Sequence, residues 1–283
     1  MNRHDNDPTW QIMEAFINDP TEALLDGLLA REDMKASSLL ARFASSTQFD
    51  ERLFRRILEA GIGINTADIR HETALGQIIG DGSLTPPARL ALIQDLLAAG
   101  ADPNLVSGHQ EYTACDWAVM RTTADNDLVG RLLPLSTPKS RLGMLLTAIQ
   151  IVAYSQNYAD GYPMVERMLA LVDDVDVSGR KGFTPVHMAA VWADVHTLDL
   201  VLSKARKPEL GLPAASEMIV HSATLPVKKG MNALAVVDKL AAVYAKDASK
   251  WKKMPSFVQA LRATRIEHLS ACRARLVEAG LTP

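Results

Sequence analysis

The residues of this chain that could carry chemistry are few and dispersed. His187, in the string TPVHMAA, stands where a general base could sit. Asp173, Asp174 and Asp176 gather three carboxylates, but the run lacks the glycine and closing Glu of a calcium loop and reads as a solvated turn. Cys115 and Cys272 are the two cysteines. Either one long-range disulfide or two buried thiols would satisfy that count, and a reducing cytosol favours the thiols. The seven histidines form no HExxH pair, and two cysteines cannot build a four-cysteine zinc site. No phosphate-cradling G-x-x-x-x-G-K-[ST], dinucleotide G-x-G-x-x-G or nucleophile-elbow G-x-S-x-G string occurs. The sequence therefore offers no catalytic residue, metal or cofactor.

The elements around these residues point to packed helices. The 283 residues are 48% apolar and 22% charged, enough for a sizeable core. Aromatics make up only 5% while Leu and Ala are abundant, a balance that favours helix over sheet. A net charge of -3 provides no basic field for nucleic acid. The opening MNRHDNDPTW has no apolar core of a signal peptide, and no run of apolar residues is long enough to span a membrane. The expectation is a cytoplasmic protein, monomeric by itself, that uses neither membrane nor nucleic acid.

Two shapes recur along the chain. Leu53–Asn65 (LFRRILEAGIGIN), Leu92–Asn104 (LIQDLLAAGADPN) and Leu276–Pro283 (LVEAGLTP) each read as the end of an amphipathic helix with a glycine stop. Gly61 and Gly100 are 39 residues apart. The second shape is a polar turn, then a threonine opening a helix of small residues: HETALGQII (71–79), EYTACDWAV (111–119) and GFTPVHMAAVW (182–192). Thr73 and Thr113 are 40 apart, and Thr113 and Thr184 are 71 apart, so a degenerate copy is expected over Ser140–Val175. Internal periods of this size mark repeat architectures.

These strings resemble ankyrin repeats, whose pattern runs G-x-T-P-L-H-x-A-A on one helix and G-A-D-x-N after the next. Gly182–Ala190 (GFTPVHMAA) departs from it only at Val186, and Ala99–Asn104 (AGADPN) matches the tail closely. Residues 73–76 (TALG) and 113–116 (TACD) lose the Pro and His positions, and Gly80–Pro87 (GDGSLTPP) lengthens the period. The resemblance is clear over roughly residues 50–205. It implies an all-α solenoid of stacked helix-turn-helix repeats with irregular capping units: a helical cap over 1–34, repeats over 35–207, and an irregular repeat and cap over 208–283. Lys246–Lys253 (KDASKWKK) reads as a solvated interruption of that last unit.

The resemblance also assigns roles. It makes His187 structural, a bridge between neighbouring finger loops, and places Cys115 at a buried apolar position. It implies a concave face built from finger tips and the exposed ends of the first helices. On that face it places Asp68, Arg70, Glu72, His109, Gln110, Tyr112, Arg180, Lys181 and Phe183 from fingers, with Asp81, Met120, Arg121, Val191 and Trp192 from helices. The partner-binding set is Asp68, Arg70, Tyr112, Arg121, Arg180, Lys181, Phe183 and Trp192, because aromatic and Arg side chains are the usual interface anchors. The alternative for the three rings is that they pack on the next repeat. The function implied is a non-enzymatic module that binds another protein, in the form of an inhibitor or immunity (antitoxin) protein. A secreted bacterial-type effector scaffolding in a host cell is the alternative, and an enzyme with a site in the C-terminal part is a third reading.

Overall fold

The computed structural model describes residues 8–106, 111–122, 127–154, 158–179, 182–192, 194–209, 211–212, 216–220, 223–246 and 256–282. Apart from one short hairpin, its regular elements are helices. No described helix is long and apolar enough to cross a membrane. The described chain gathers into two compact units, Met1–Ser136 and Thr137–Pro283, whose boundary falls within the 35–207 stretch assigned to repeats.

The first unit runs α1 (Pro8–Asn18), α2 (Glu22–Leu29), α3 (Leu39–Ala44), α4 (Glu51–Glu59), α5 (Ala74–Gly80), α6 (Pro86–Ala98), α7 (Ala114–Arg121) and α8 (Leu128–Leu132). The second runs α9 (Pro138–Tyr154), α10 (Tyr158–Leu171), α11 (Pro185–Trp192), α12 (Val195–Leu202), a hairpin of β1 (Ser216–Val220) and β2 (Ala223–Val227), α13 (Ala233–Lys246) and α14 (Ser256–Glu278). In each unit the helices form consecutive pairs, and the leading helix of one pair packs on the leading helix of the next. Thus α3 packs on α5 and α5 on α7, while α9 packs on α11 and α11 on α13.

Side-chain caps open most of these helices, including Thr21 at trailing α2. Leading helices α5, α7, α9 and α11 open after Thr73, Thr113, Thr137 and Thr184. Each hydroxyl accepts from the amide three residues on, at 3.2, 3.2, 3.2 and 3.4 Å. Trailing helices α4, α8 and α12 open after Asp50, Asp127 and Asp194, whose carboxylates accept at 2.9, 2.9 and 2.8 Å. Either cap satisfies an amide that the helix itself leaves unpaired. The Ala-Gly stops end α4, α6 and α14 in six-to-one bonds, Ile62 to Ile57, Ala101 to Leu96 and Leu281 to Leu276. Gly61, Gly100 and Gly280 sit there at φ 70°, 93° and 87°, the left-handed conformation this exit requires.

The tails tie successive pairs together. Asn65 donates to the Gly100 carbonyl (3.0 Å) and accepts from the Asp102 amide (2.8 Å). Asn104 likewise donates to the Leu135 carbonyl at 2.9 Å. In the second unit Asp176 accepts from the amides of Arg206 and Lys207, at 2.7 and 3.0 Å. The Asp173–Asp176 run is thus a turn that locks one tail to the next. Among the described residues no cluster of three or more His, Cys, Asp or Glu could hold a metal ion.

A tight finger precedes each of several leading helices. At Asp68–Glu72 the Asp68 amide donates to the Glu72 carbonyl and the His71 amide to the Asp68 carbonyl, both at 2.9 Å. Gly179–Phe183 repeats this pattern at 2.9 and 3.1 Å. The residue two before the caps Thr73, Thr113 and Thr184, and before Asn232 at the start of α13, has positive φ: His71 at 64°, Glu111 at 58°, Gly182 at 79° and Gly230 at 83°. Glycine fits there without strain, whereas a side chain costs about 1–2 kcal/mol. Glu111 is exposed, so Glu111→Gly should stabilise the protein by up to about 1 kcal/mol after glycine's own entropy cost. A urea midpoint that falls instead would show that the Glu111 side chain makes a contact worth more than the strain.

The stretch Ser140–Val175 carries the two helices expected of it, α9 and α10. The spacing of 71 between Thr113 and Thr184 is divided by Thr137, which opens α9. The pair before it is short, with an α8 of 5 residues, while α9 has 17 and α10 has 14. In the second unit the finger before α13 is extended into the β1–β2 hairpin, paired antiparallel from Ser216↔Val227 to Val220↔Ala223. Of Lys246–Lys253, only Lys246 falls within the described residues, at the end of α13.

Candidate functional site

In the first unit the finger Ile69–Glu72, helix α5 and the segment Ala44–Phe49 enclose an open groove of about 1120 Å³. Its floor comes from an unusual helix. Gly76 and Gly80 lie one turn apart on α5, and a Cβ at either would be 3.7 Å from the Trp117 indole. Both are ordinary van der Waals distances, so the ring lies against α5 at the two glycines. Tyr112 meets Trp117 edge to face, with ring centroids 5.6 Å apart and planes at 66°. Phe49, Ile69 and Leu84 add apolar surface, and Ile69 is 68% exposed at the finger tip.

Polar groups frame the groove. Arg70 is exposed on the finger and lines it. Arg121, also exposed, donates to the Gly80 carbonyl at 2.5 Å, capping the C-terminal end of α5 at the groove edge. The Asp81 carboxylate accepts from the Ser83 amide and hydroxyl, at 2.7 and 2.9 Å. Behind this wall Arg89 is 8% exposed, and its guanidinium donates to the carbonyls of Asp81 and Leu84.

Of the eight residues expected to bind a partner, the groove gathers Arg70 and Tyr112, with Arg121 at its edge. Asp68 is buried, and one carboxylate oxygen accepts from the Arg70 and Glu72 amides at 2.8 and 2.9 Å, holding the finger closed. Arg180 and Lys181 lie outside the described residues. The expected exposure of Phe183 and Trp192 is corrected: they are 4% and 5% exposed. Phe183 packs edge-on against His187 with centroids 6.2 Å apart. Trp192 ends α11 against α14, where its carbonyl accepts from Arg265 at 2.9 Å. Trp117, Gly76 and Gly80 fall outside the positions that the repeat pattern marks for binding.

His187 is fully buried in the second unit. Its Nε2 is 3.1 Å from the Met231 carbonyl, an atom that only accepts, so Nε2 carries the proton. Its Nδ1 then accepts from the Thr184 hydroxyl at 2.8 Å. The imidazole thus links α11 to the finger before α13. Burial pushes its pKa below the ordinary value of 6.5, against the opposing pull of the Met231 carbonyl. The folded state thus binds fewer protons than the unfolded state, so the stability is present above about pH 6.5 and is lost as pH falls below it. Urea midpoints should drop between about pH 7.5 and 5.5 in the parent, and drop less in His187→Asn. Equal drops would assign the pH dependence to other groups. Burial also pushes the Cys115 and Cys272 thiols up to about 12, which keeps both protonated and unreactive.

Neither a protein-family model nor a curated protein matches this sequence.

Proposed function

We propose that this chain is an ankyrin-like helical-repeat module that binds another protein through the groove of its first unit. The repeat reading is supported by the threonine caps, the fingers, the tail-to-tail bridges and the His187 link to the next finger. The binding reading rests on one observation. Arg70, Glu72, Asp81 and Tyr112, which the repeat pattern marks as free of packing duty, line one open groove that the Tyr112 and Trp117 rings help to floor. Aromatic and Arg side chains grouped in a recess are the usual composition of an interface anchor. Binding that blocks the partner would make the chain an inhibitor or immunity protein. Binding that only localises the partner would make it a scaffold.

The test begins with a partner retained from the native source on the immobilised chain. Tyr112→Ala should weaken that complex by about thirtyfold, the loss of a true anchor. Arg56→Ala, on trailing helix α4, should change affinity little, because its partners Glu22 and Asp26 belong to the opposite helix row. Unchanged affinity in a folded Tyr112→Ala protein would move the interface off the groove. The partner's own activity, assayed with and without the chain, separates blocking from scaffolding.

A further inference from the structure

We propose that two copies of this chain join through the outer edge of β1, in place of the monomer expected from the sequence. The inference concerns the second unit and goes beyond the groove. Backbone register decides it. β1 and β2 make a two-stranded sheet, paired from Ser216↔Val227 to Val220↔Ala223. Only two residues separate Val220 from Ala223, too few to hold a bonded pair nearer the connection, so these two exchange backbone bonds with each other. Antiparallel pairs alternate, so Met218 with Leu225 and Ser216 with Val227 are bonded pairs as well. Glu217, Ile219, Thr224 and Pro226 are then the residues whose backbone groups point away from the inner ladder of the hairpin.

The two outer edges are not alike. Pro226 has no N–H, so it costs the inner ladder nothing and leaves Thr224 as the one outward donor of β2. A proline so placed keeps an edge strand from pairing further. β2 also packs on α13. β1 has no such block. Its outer edge presents the N–H and C=O of both Glu217 and Ile219, and among the described residues no backbone hydrogen bond from outside the hairpin reaches Ser216–Val220. An open edge of this kind accepts an extended strand. A second copy of β1 fits it without remainder. Glu217 and Ile219 lie one residue either side of Met218, so in an antiparallel pair each Glu217 faces the other copy's Ile219, closing four bonds about a two-fold axis. The resulting sheet runs β2–β1–β1–β2, with Pro226 on both outer strands. Pairing therefore uses up the open edges and stops at two copies.

Sedimentation equilibrium of the full chain from about 10 μM to about 1 mM should show monomer and dimer in exchange. The joint is small, so its dissociation constant should be on the order of 0.1–1 mM. Residue-resolved hydrogen exchange reads the edge without any substitution. The amides of Glu217 and Ile219 should gain protection as concentration rises, while those of Met218 and Val220, already bonded inside the hairpin, should not change. Ile219→Pro removes one outward donor from each copy and no bond of the hairpin, and should weaken the dimer by about tenfold or more. Thr224→Pro, the same change on the blunted edge, should leave it unchanged. A chain still monomeric at about 1 mM would overturn the inference, as would growth beyond the dimer. So would a dimer whose Glu217 and Ile219 amides exchange as freely as in the monomer, because it would be joined elsewhere. Equal losses from the two proline variants would also overturn it, since the outward donor of β1 would not then be the cause.

Discussion

Replacing Phe43 with alanine is expected to cost on the order of 3–5 kcal/mol. Phe43 is fully buried on α3 at the centre of a four-ring chain. It lies 5.0 Å from Phe16 and 5.9 Å from Phe49 between centroids, and Phe49 lies 5.5 Å from Phe54. Truncation removes the transfer free energy of the ring and leaves a cavity between elements that cannot close without moving α1 or α4. Phe49 also lines the groove, so the variant should weaken partner binding even where it remains folded. Chemical denaturation followed by circular dichroism reads the first effect, and a binding titration reads the second. A midpoint within error of the parent would mean that the ring is not the keystone of this packing.

The second large effect is expected at Gly63. The residue sits at φ 59°, and its amide donates to the Lys35 carbonyl at 3.0 Å. A Cβ there would fall 2.0 Å from the Ser37 carbonyl oxygen, a backbone atom that cannot swing aside. Gly63→Ala should therefore cost about 3 kcal/mol or more, the left-handed penalty of about 1–2 kcal/mol plus the displacement of the 35–37 turn. Gly61 is the control. It has a similar φ of 70° but nothing within 4 Å, so Gly61→Ala should cost only the conformational part. Equal losses at the two positions would remove the close approach as the cause.

The local signals of this fold are strong because they are short-range. A threonine three residues before an unpaired amide, or a glycine after an Ala-rich helix end, needs no distant partner to act. That is why the starts of α5, α7 and α11 and the ends of α4 and α6 are readable in Thr73, Thr113, Thr184, Gly61 and Gly100. The helix pair between Thr113 and Thr184 is legible both from the spacing and from its own apolar stretches over Ser140–Val175. Its leading helix opens at Thr137-Pro138, and α8 ends after 5 residues where Leu133-Pro134 starts a 3-10 turn. The β1–β2 extension of a finger carries no repeat signal, because a hairpin added at a solvent-facing loop leaves the helix period on either side intact.

Exposure is the least legible property. Asp68, Phe183 and Trp192 occupy positions that a regular repeat leaves open, yet all three are buried. Asp68 turns back to its own finger, Phe183 faces His187, and Trp192 is covered where α11 meets the long α14. The sequence by itself determined the helical class and the threonine starts and Ala-Gly stops of several helices, and the resemblance implied a structural His187. Those depend on neighbours within a turn or on contacts repeated at every period. Only the tertiary structure decided where the groove lies and what lines it. Trp117 joins its floor by lying against Gly76 and Gly80 on a different helix, and a side chain's exposure is set by what the neighbouring helix brings against it.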